Sequence, residues 1–443
     1  MRIPKHTLLF LIVFLLWLWQ APVFAQDLVH IYELALQSDP VLKQAEANRM
    51  AVAENEDQAV GKLLPTLGLS ANHSWNRLNN TKSRPTFQGS GTQEFWDNSF
   101  TLSLTQPVFR WDYWVELSQA DNQIAQAEAI YQDAVQNLMV RVSEAYFDIL
   151  VAEESLAFTR AEKDAIGRQL EQAQERYNVG LVSMVDVYEA RAAFDKAKAD
   201  EIKTQNELDA NKERLREIVG QVELNLLGLN QRLPLNKPDP DNMDAWGKIA
   251  ENQNLKVLAA LNEAEVARKT IDIQRSGHYP TVDIVGAYTL TDNNSTFGLR
   301  GDQERVGVQL NLPLFAGGSV NSRTRQAHYR HEQAKEKLNE TRRAVGRQVK
   351  DAYRGVIASI SQVDALQAAV RSMQSALEAT EAGLEVGVRT MVDVLKSQRD
   401  LYEAQRNYAR VRYDYLLNGL KLKQSSSALN GQDLAAINQL LKH

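Results

Sequence analysis

The chain has no cysteine, only 11 prolines in 443 residues, and no apolar run beyond its first 25 residues long enough to cross a bilayer as a helix. Each absence excludes something. Without cysteine there is no disulfide framework, no thiol nucleophile and no lipid-modified N-terminal cysteine, so a chain of this length must be held by packing and assembly. Scarce proline, 44% hydrophobic residues and a mean hydropathy of −0.39 fit long helices better than two or three globular domains. A net charge of −6 lacks the basic excess that a nucleic-acid partner requires. The seven histidines are scattered, and His328 and His331, three apart on an expected helix, read as a solvated polar face rather than a metal ligand set. There is no glycine-rich phosphate loop, and carboxylate pairs such as Glu153-Glu154 read as solvated helix charges. The sequence therefore predicts no catalytic residue, no cofactor, no metal site and no enzyme.

Residues 1–25 carry Arg2 and Lys5, an apolar run from Leu8 to Trp19, and Val23-Phe24-Ala25 ahead of a cleavage point. The run is about 12 residues, short of the roughly 20 a spanning helix needs, so it reads as a cleaved secretory signal peptide. The chain is expected to be exported, and any membrane crossing must use strands, since only helices and closed barrels satisfy the backbone in lipid.

The strongest pattern is an internal repeat. Asn178-Val179-Gly180-Leu181-Val182-Ser183-Met184-Val185-Asp186-Val187 returns as Glu385-Val386-Gly387-Val388-Arg389-Thr390-Met391-Val392-Asp393-Val394, at an offset of 387 − 180 = 207. In each copy a long helical stretch ends at a glycine suited to positive φ, and Ser183 or Thr390 opens a second helix as a capping box with Asp186 or Asp393. Each copy is thus a helical hairpin tip, and the chain is one unit written twice. The first repeat spans 26–220: a helix to about Gly61, two alternating strands around Leu67–Trp75 and Phe100–Leu104, a helical run from Phe109 to about Tyr177, the tip, and a return helix to Val219. A linker over 221–243, rich in Asn and Pro, separates it from the second repeat at 244–423. There Val282–Leu290 and Val306–Leu312 are the strands, and Pro280 and Pro313 answer Pro65 and Pro107. Residues 79–94 and 291–302 read as polar loops, and the second strand is expected to stop at Gln106-Pro107. Residues 424–443 read as a polar tail with a short amphipathic piece near Leu434–Leu441.

Four strands cannot close a barrel in a membrane, which needs about eight or more. Two or more chains must therefore share one, a dimer giving eight strands and a trimer twelve, with aromatics such as Trp96, Phe100, Phe109, Trp111 and Trp114 as its interfacial belt. The helical run after Phe109 would be on the order of 100 Å long at 1.5 Å per residue. Its apolar positions step by three and four, as in a coiled-coil seam. A non-conducting envelope scaffold with a coiled-coil spacer is the alternative reading, disfavoured by the strand pairs.

The ordered set Leu64-Pro65, Thr105-Gln106-Pro107-Val108-Phe109, Ala145-Tyr146-Phe147, Tyr177–Leu181, Leu312-Pro313-Leu314-Phe315-Ala316-Gly317-Gly318 and Gly387–Leu395 resembles the TolC family of outer-membrane efflux channels. The resemblance covers essentially the whole chain after residue 25, and the missing cysteine favours the unlipidated branch. It implies a mainly α fold with a β-barrel part: a homotrimer whose twelve-stranded outer-membrane barrel continues as a periplasmic α-helical coiled-coil barrel. It implies the exit duct of a tripartite efflux or type I secretion system, exporting toxic small molecules and, in some members, proteins. The partners would be a periplasmic adaptor, an inner-membrane pump or ABC exporter, and outer-membrane lipid. It also implies roles for residues. Val179, Gly180 and Leu181 with Val386, Gly387 and Val388 would meet the adaptor. Asp186 and Arg389 would link neighbouring helices at the closed periplasmic gate, and Asp393 would ring the constriction. Val185 and Leu384 depart from the family pattern by replacing polar partners, and Lys396 replaces a second acidic ring residue.

Overall fold

The computed structural model describes residues 26–80, 91–230, 232–295 and 298–442. The expected signal peptide, and the parts of the two loops at 81–90 and 296–297, lie outside these residues. The elements in chain order are helices α1 (Leu28–Ser38) and α2 (Pro40–Leu63), strands β1 (Thr66–Asn80) and β2 (Gly91–Phe109), and helices α3 (Trp111–Asn178) and α4 (Met184–Val219). The second repeat gives α5 (Met243–Gln253), α6 (Leu255–Arg275), β3 (Thr281–Asn293), β4 (Arg300–Asn311), α7 (Ser319–Glu385), α8 (Met391–Ser425) and α9 (Gly431–Asn438).

Contacts divide the chain into two compact units, and each takes residues from both repeats. One comprises residues up to Gln44 with Asp133–Asn254 and Ala344–His443, the other Ala45–Gln132 with Leu255–Arg343.

The second unit holds one antiparallel sheet in the order β1-β2-β3-β4. Its register places Leu67 beside Leu104, Leu104 beside Gly286 and Gly286 beside Val306, and in the next row Leu69 beside Leu102 and Leu102 beside Tyr288. Because side chains alternate across a pleated sheet, these rows share one face. The other face carries Gly68, Ser70, Ser103, Thr101, Thr289 and Gln303, with a hydroxyl contact of 3.2 Å between Thr101 and Thr289. The strands run further than the polar composition of their ends suggests. Leu78, Asn79 and Asn80 pair with Gln93, Thr92 and Gly91, and Thr291 and Asp292 pair with Gly301 and Arg300. The loops expected at 79–94 and 291–302 are correspondingly shorter, because backbone pairing is indifferent to whether the side chain is polar. The second strand also passes Pro107 to reach Phe109, with a register shift between the two that accommodates the missing N–H of proline.

In the other unit the helix start is interrupted at Asp39, whose carboxylate caps Leu42 N–H at 2.8 Å and receives both guanidinium nitrogens of Arg141 at 3.2 and 2.7 Å. Asn254 interrupts the second repeat at the corresponding place, with nearly the same backbone angles. The linker is not a free tether. Tyr146 donates its hydroxyl to the Leu227 carbonyl at 2.8 Å, and the Tyr415 hydroxyl both accepts from Asn236 N–H and donates to Asn236 C=O. The C-terminal stretch expected as a polar tail is docked: Leu434 and Leu441 are buried, Leu441 bridges to Leu229, and Asn438 donates to Asp27. Burying the apolar stripe of a short amphipathic helix outweighs its polar composition.

Candidate functional site

The two hairpin tips are built alike. Gly180 and Gly387 adopt φ of 77° and 76°, and the N–H groups of Leu181 and Val388 reach back to the carbonyls of Arg176 and Gly383 at 2.8 and 2.9 Å. This is the six-to-one bond of a Schellman ending, which requires the left-handed residue before it. The chain then re-enters a helix through a capping box. The Ser183 N–H meets Asp186 Oδ2 at 2.9 Å and the Thr390 N–H meets Asp393 Oδ2 at 3.0 Å, while each hydroxyl accepts from the corresponding aspartate N–H. The Thr390 N–H and hydroxyl, helped by the positive charges of Arg389 and Lys396, hold Asp393 below the usual carboxylate range.

On either side of the left-handed glycine, the tips present apolar side chains to solvent. Val179, Leu181, Val386 and Val388 are 70–75% exposed. A Cβ built at Gly180 or Gly387 would meet nothing, so the glycines are needed for their φ rather than for space.

Past the caps the two tips differ. Met391 is 3% exposed where its counterpart Met184 is 38% exposed, and Leu395 is buried where Tyr188 is exposed. Met391 and Leu395 pack with Ile166, Ala173, Val187 and Ala190, so the start of α8 is held against the first hairpin. Leu384 packs against this cluster and also against Leu377, Val394 and Leu401, tying the second hairpin to its own return helix. Val185 is exposed.

Of the remaining gate residues, Asp186 is engaged by Ser183, and the Arg389 guanidinium makes no ion pair or hydrogen bond among the described residues. The two are not brought together within one chain. Arg389 instead lies over Gly383, where a Cβ would stand 2.6 Å from its Cγ. Lys396 lines a groove of about 350 Å³ between the first hairpin and α8, with Glu162, Glu189, Asp200 and Arg399.

Sequence reasoning missed a seam of side-chain bonds joining α3 to α8. Glu144 receives Lys421 at 3.2 Å, Glu154 the Tyr413 hydroxyl at 2.6 Å, and Glu162 Arg406 at 2.7 Å. Each acceptor is a glutamate of α3, and Glu162 is buried. Glu153 and Glu154 are thus not the solvated charges their helix position suggested: burial raises the Glu153 pKa, and Glu154 is bonded to the buried Tyr413. The only available signal was the spacing of these residues, which fixes a helix face but names no partner.

The outer membrane efflux protein model matches residues 31–221 and 246–427, one match to each repeat. Outer membrane protein TolC of Vibrio cholerae is 36% identical over 95% of this chain and 95% of its own length, and TolC of Escherichia coli is 37% identical over 94% and 85%. The alkaline protease secretion protein AprF of Pseudomonas aeruginosa is 28% identical over 95% and 89%. Among solved structures, the Campylobacter jejuni CmeC outer membrane channel superposes with a TM-score of 0.80, at 15% identity, covering 94% of this chain and 90% of that one. The outer membrane protein VceC of Vibrio cholerae gives 0.76 at 21% identity, covering 90% and 95%. With both halves matched by one model and TolC relatives aligned over nearly their full length, the chain belongs to the outer membrane efflux protein family.

Proposed function

We propose that this protein is the outer-membrane exit duct of a tripartite efflux or type I secretion system, a homotrimer exported by a signal peptide removed after Ala25. The observation that carries the reading is the four-stranded sheet. One face carries exposed Leu, Val, Phe and Tyr side chains from all four strands, giving way to Asp302 and Glu304 on β4, the opposite face is largely polar, and among the described residues β1 and β4 are both open edges. An apolar face belongs in lipid and a polar face around water, and open edges in lipid must be closed by further copies. Three copies supply twelve strands. The protein would carry toxic small molecules, and proteins in a type I assembly, without chemistry of its own.

The tips fit the docking and gating roles. Their exposed valines and Leu181 offer an apolar surface to a periplasmic adaptor, and Arg389, whose guanidinium makes no ion pair or hydrogen bond among the described residues, is available to a carboxylate such as Asp186 on a neighbouring copy. Asp393 and Lys396, three residues apart, would give the constriction mixed charge. Single-channel recording of the purified protein in a planar bilayer tests the central claim. Discrete conductance steps are expected, and a silent membrane at protein levels that insert would overturn it.

A further inference from the structure

The sheet is open at both ends, and so is the set of helices in the same unit. Asn55 bonds Gln123 at 2.8 Å, joining α2 to α3. Lys269 bonds the carbonyl and hydroxyl of Ser118 at 2.6 and 2.7 Å, and Gln119 bonds Thr270 at 2.9 Å, joining α3 to α6. His331 lies 3.1 Å from the Ala264 carbonyl, joining α6 to α7. The order α2-α3-α6-α7 repeats the order of the strands, so among the described residues α2 and α7 each keep one flank without a helical neighbour in this unit. Glu54 on α2 and Arg325 on α7 are exposed, and neither side chain has a partner among the described residues.

The internal repeat supplies a register for those flanks. α2 maps onto α6 at 254 − 39 = 215, from the matching breaks at Asp39 and Asn254. α3 maps onto α7 at 352 − 145 = 207, an offset that also superimposes the buried Ala120 on the buried Ala327. Carried through both offsets, the Ser118–Lys269 contact becomes 118 + 207 = 325 against 269 − 215 = 54. Those positions hold Arg325 and Glu54, which are opposite in charge. The Gln119–Thr270 contact becomes Gln326 against Asn55, two residues able to bond each other.

We propose that α7 of one chain docks on α2 of a second copy of this chain as α3 docks on α6 within it, with an Arg325–Glu54 ion pair at each junction. The seam is continuous with the open sheet edges. With the strand offset of 313 − 107 = 206, the Phe100–Leu290 pair becomes Val306 against Trp75, an apolar pair where β4 would meet the next β1. The seam rests on the homotrimer reading above and adds the residues that set its register.

Because the chain has no cysteine, introduced thiols are the only ones present. The double variant Glu54→Cys with Arg325→Cys, treated with a short bis-maleimide in detergent, should give covalent dimers and trimers on a denaturing gel, and neither single variant should. Glu54→Cys with Arg330→Cys is the control, since Arg330 lies on the groove shared with α6 and should not react across copies. Arg325→Glu alone should lower the heat resistance of the oligomer in detergent, and adding Glu54→Arg should restore it. A trimer by light scattering that neither cross-links through Glu54 and Arg325 nor responds to the reversals would overturn the seam and leave the homotrimer standing. A monomer by light scattering would overturn the homotrimer and the seam with it.

Discussion

At the scale of single residues, the tips concentrate most of what can be tested. Val179 and Val386 are solvated hydrophobes, 70 and 74% exposed, so Val179→Asp or Val386→Asp should leave fold and outer-membrane level intact while export stops. Unchanged export, measured as drug resistance or secreted protein, would leave these valines as mere surface. Arg389→Ser should raise resting conductance, and Lys396→Asp should move the reversal potential in a salt gradient toward cations, since it removes the positive charge three residues from Asp393. Gly383→Ala should mimic Arg389→Ser, because its Cβ would occupy space that Arg389 Cγ now fills. If Gly383→Ala and Arg389→Ser both conduct like the parent protein, Arg389 does not hold the gate. Asp393 also sets a pH limit. Its pKa is depressed in the folded chain, so its cap is complete above the ordinary carboxylate pKa and is lost as pH falls through the lower folded value. Amide exchange at 386–393 should therefore stay slow in mild acid and accelerate only at pH below the usual aspartate range, whereas Thr390→Val should accelerate it at neutral pH.

At the scale of elements, the tips and strands were legible and the partners of long helices were not. A glycine followed three residues later by Ser or Thr, and again three later by Asp, contains its own geometry, because the Schellman ending and the capping box are local. Strand alternation is equally local: it set Leu67 with Leu69, Leu102 with Leu104, Tyr288 with Leu290 and Val306 with Val308 within their own strands, and the register then brings Leu67, Leu102, Tyr288 and Val306 to one face. The strand ends at Asn79, Thr92 and Asp292 were misread because their polarity resembles loop composition although the backbone ladder continues. Glu154 was misread, and Glu144 and Glu162 were passed over, for a different reason: a charge on a 68-residue helix has the same sequence signature whether it faces water or a residue on another helix more than 240 positions away. The asymmetry between Met184 and Met391 was hidden too, since the same residue type at matching positions meets different neighbours. Arg406→Met strands the buried Glu162 carboxylate and should cost about 2–3 kcal/mol of stability. Gly387→Ala, at φ 76°, should cost about 1–2 kcal/mol. Thermal unfolding in detergent would separate these from Val386→Asp, which should leave the melting temperature unchanged.

At the scale of the whole molecule, the resemblance and the repeat together gave the family, while the contact units cut across the repeats in a way that periodicity could not announce. Light scattering of detergent-extracted protein should return three copies, and a stable single chain would contradict the proposed assembly. The two open strand edges carry a further consequence. Each unpaired edge in lipid leaves a row of backbone groups unsatisfied, and β1 and β4 can satisfy each other only between chains. The last step of folding is then a collision between molecules rather than a rearrangement within one. Its yield should follow mass action: diluting the newly exported chain should lengthen the life of an unfinished, protease-sensitive species, and concentrating it should shorten that life. A gene dose too low to populate three-body encounters would thus lower the number of finished channels more steeply than the number of chains.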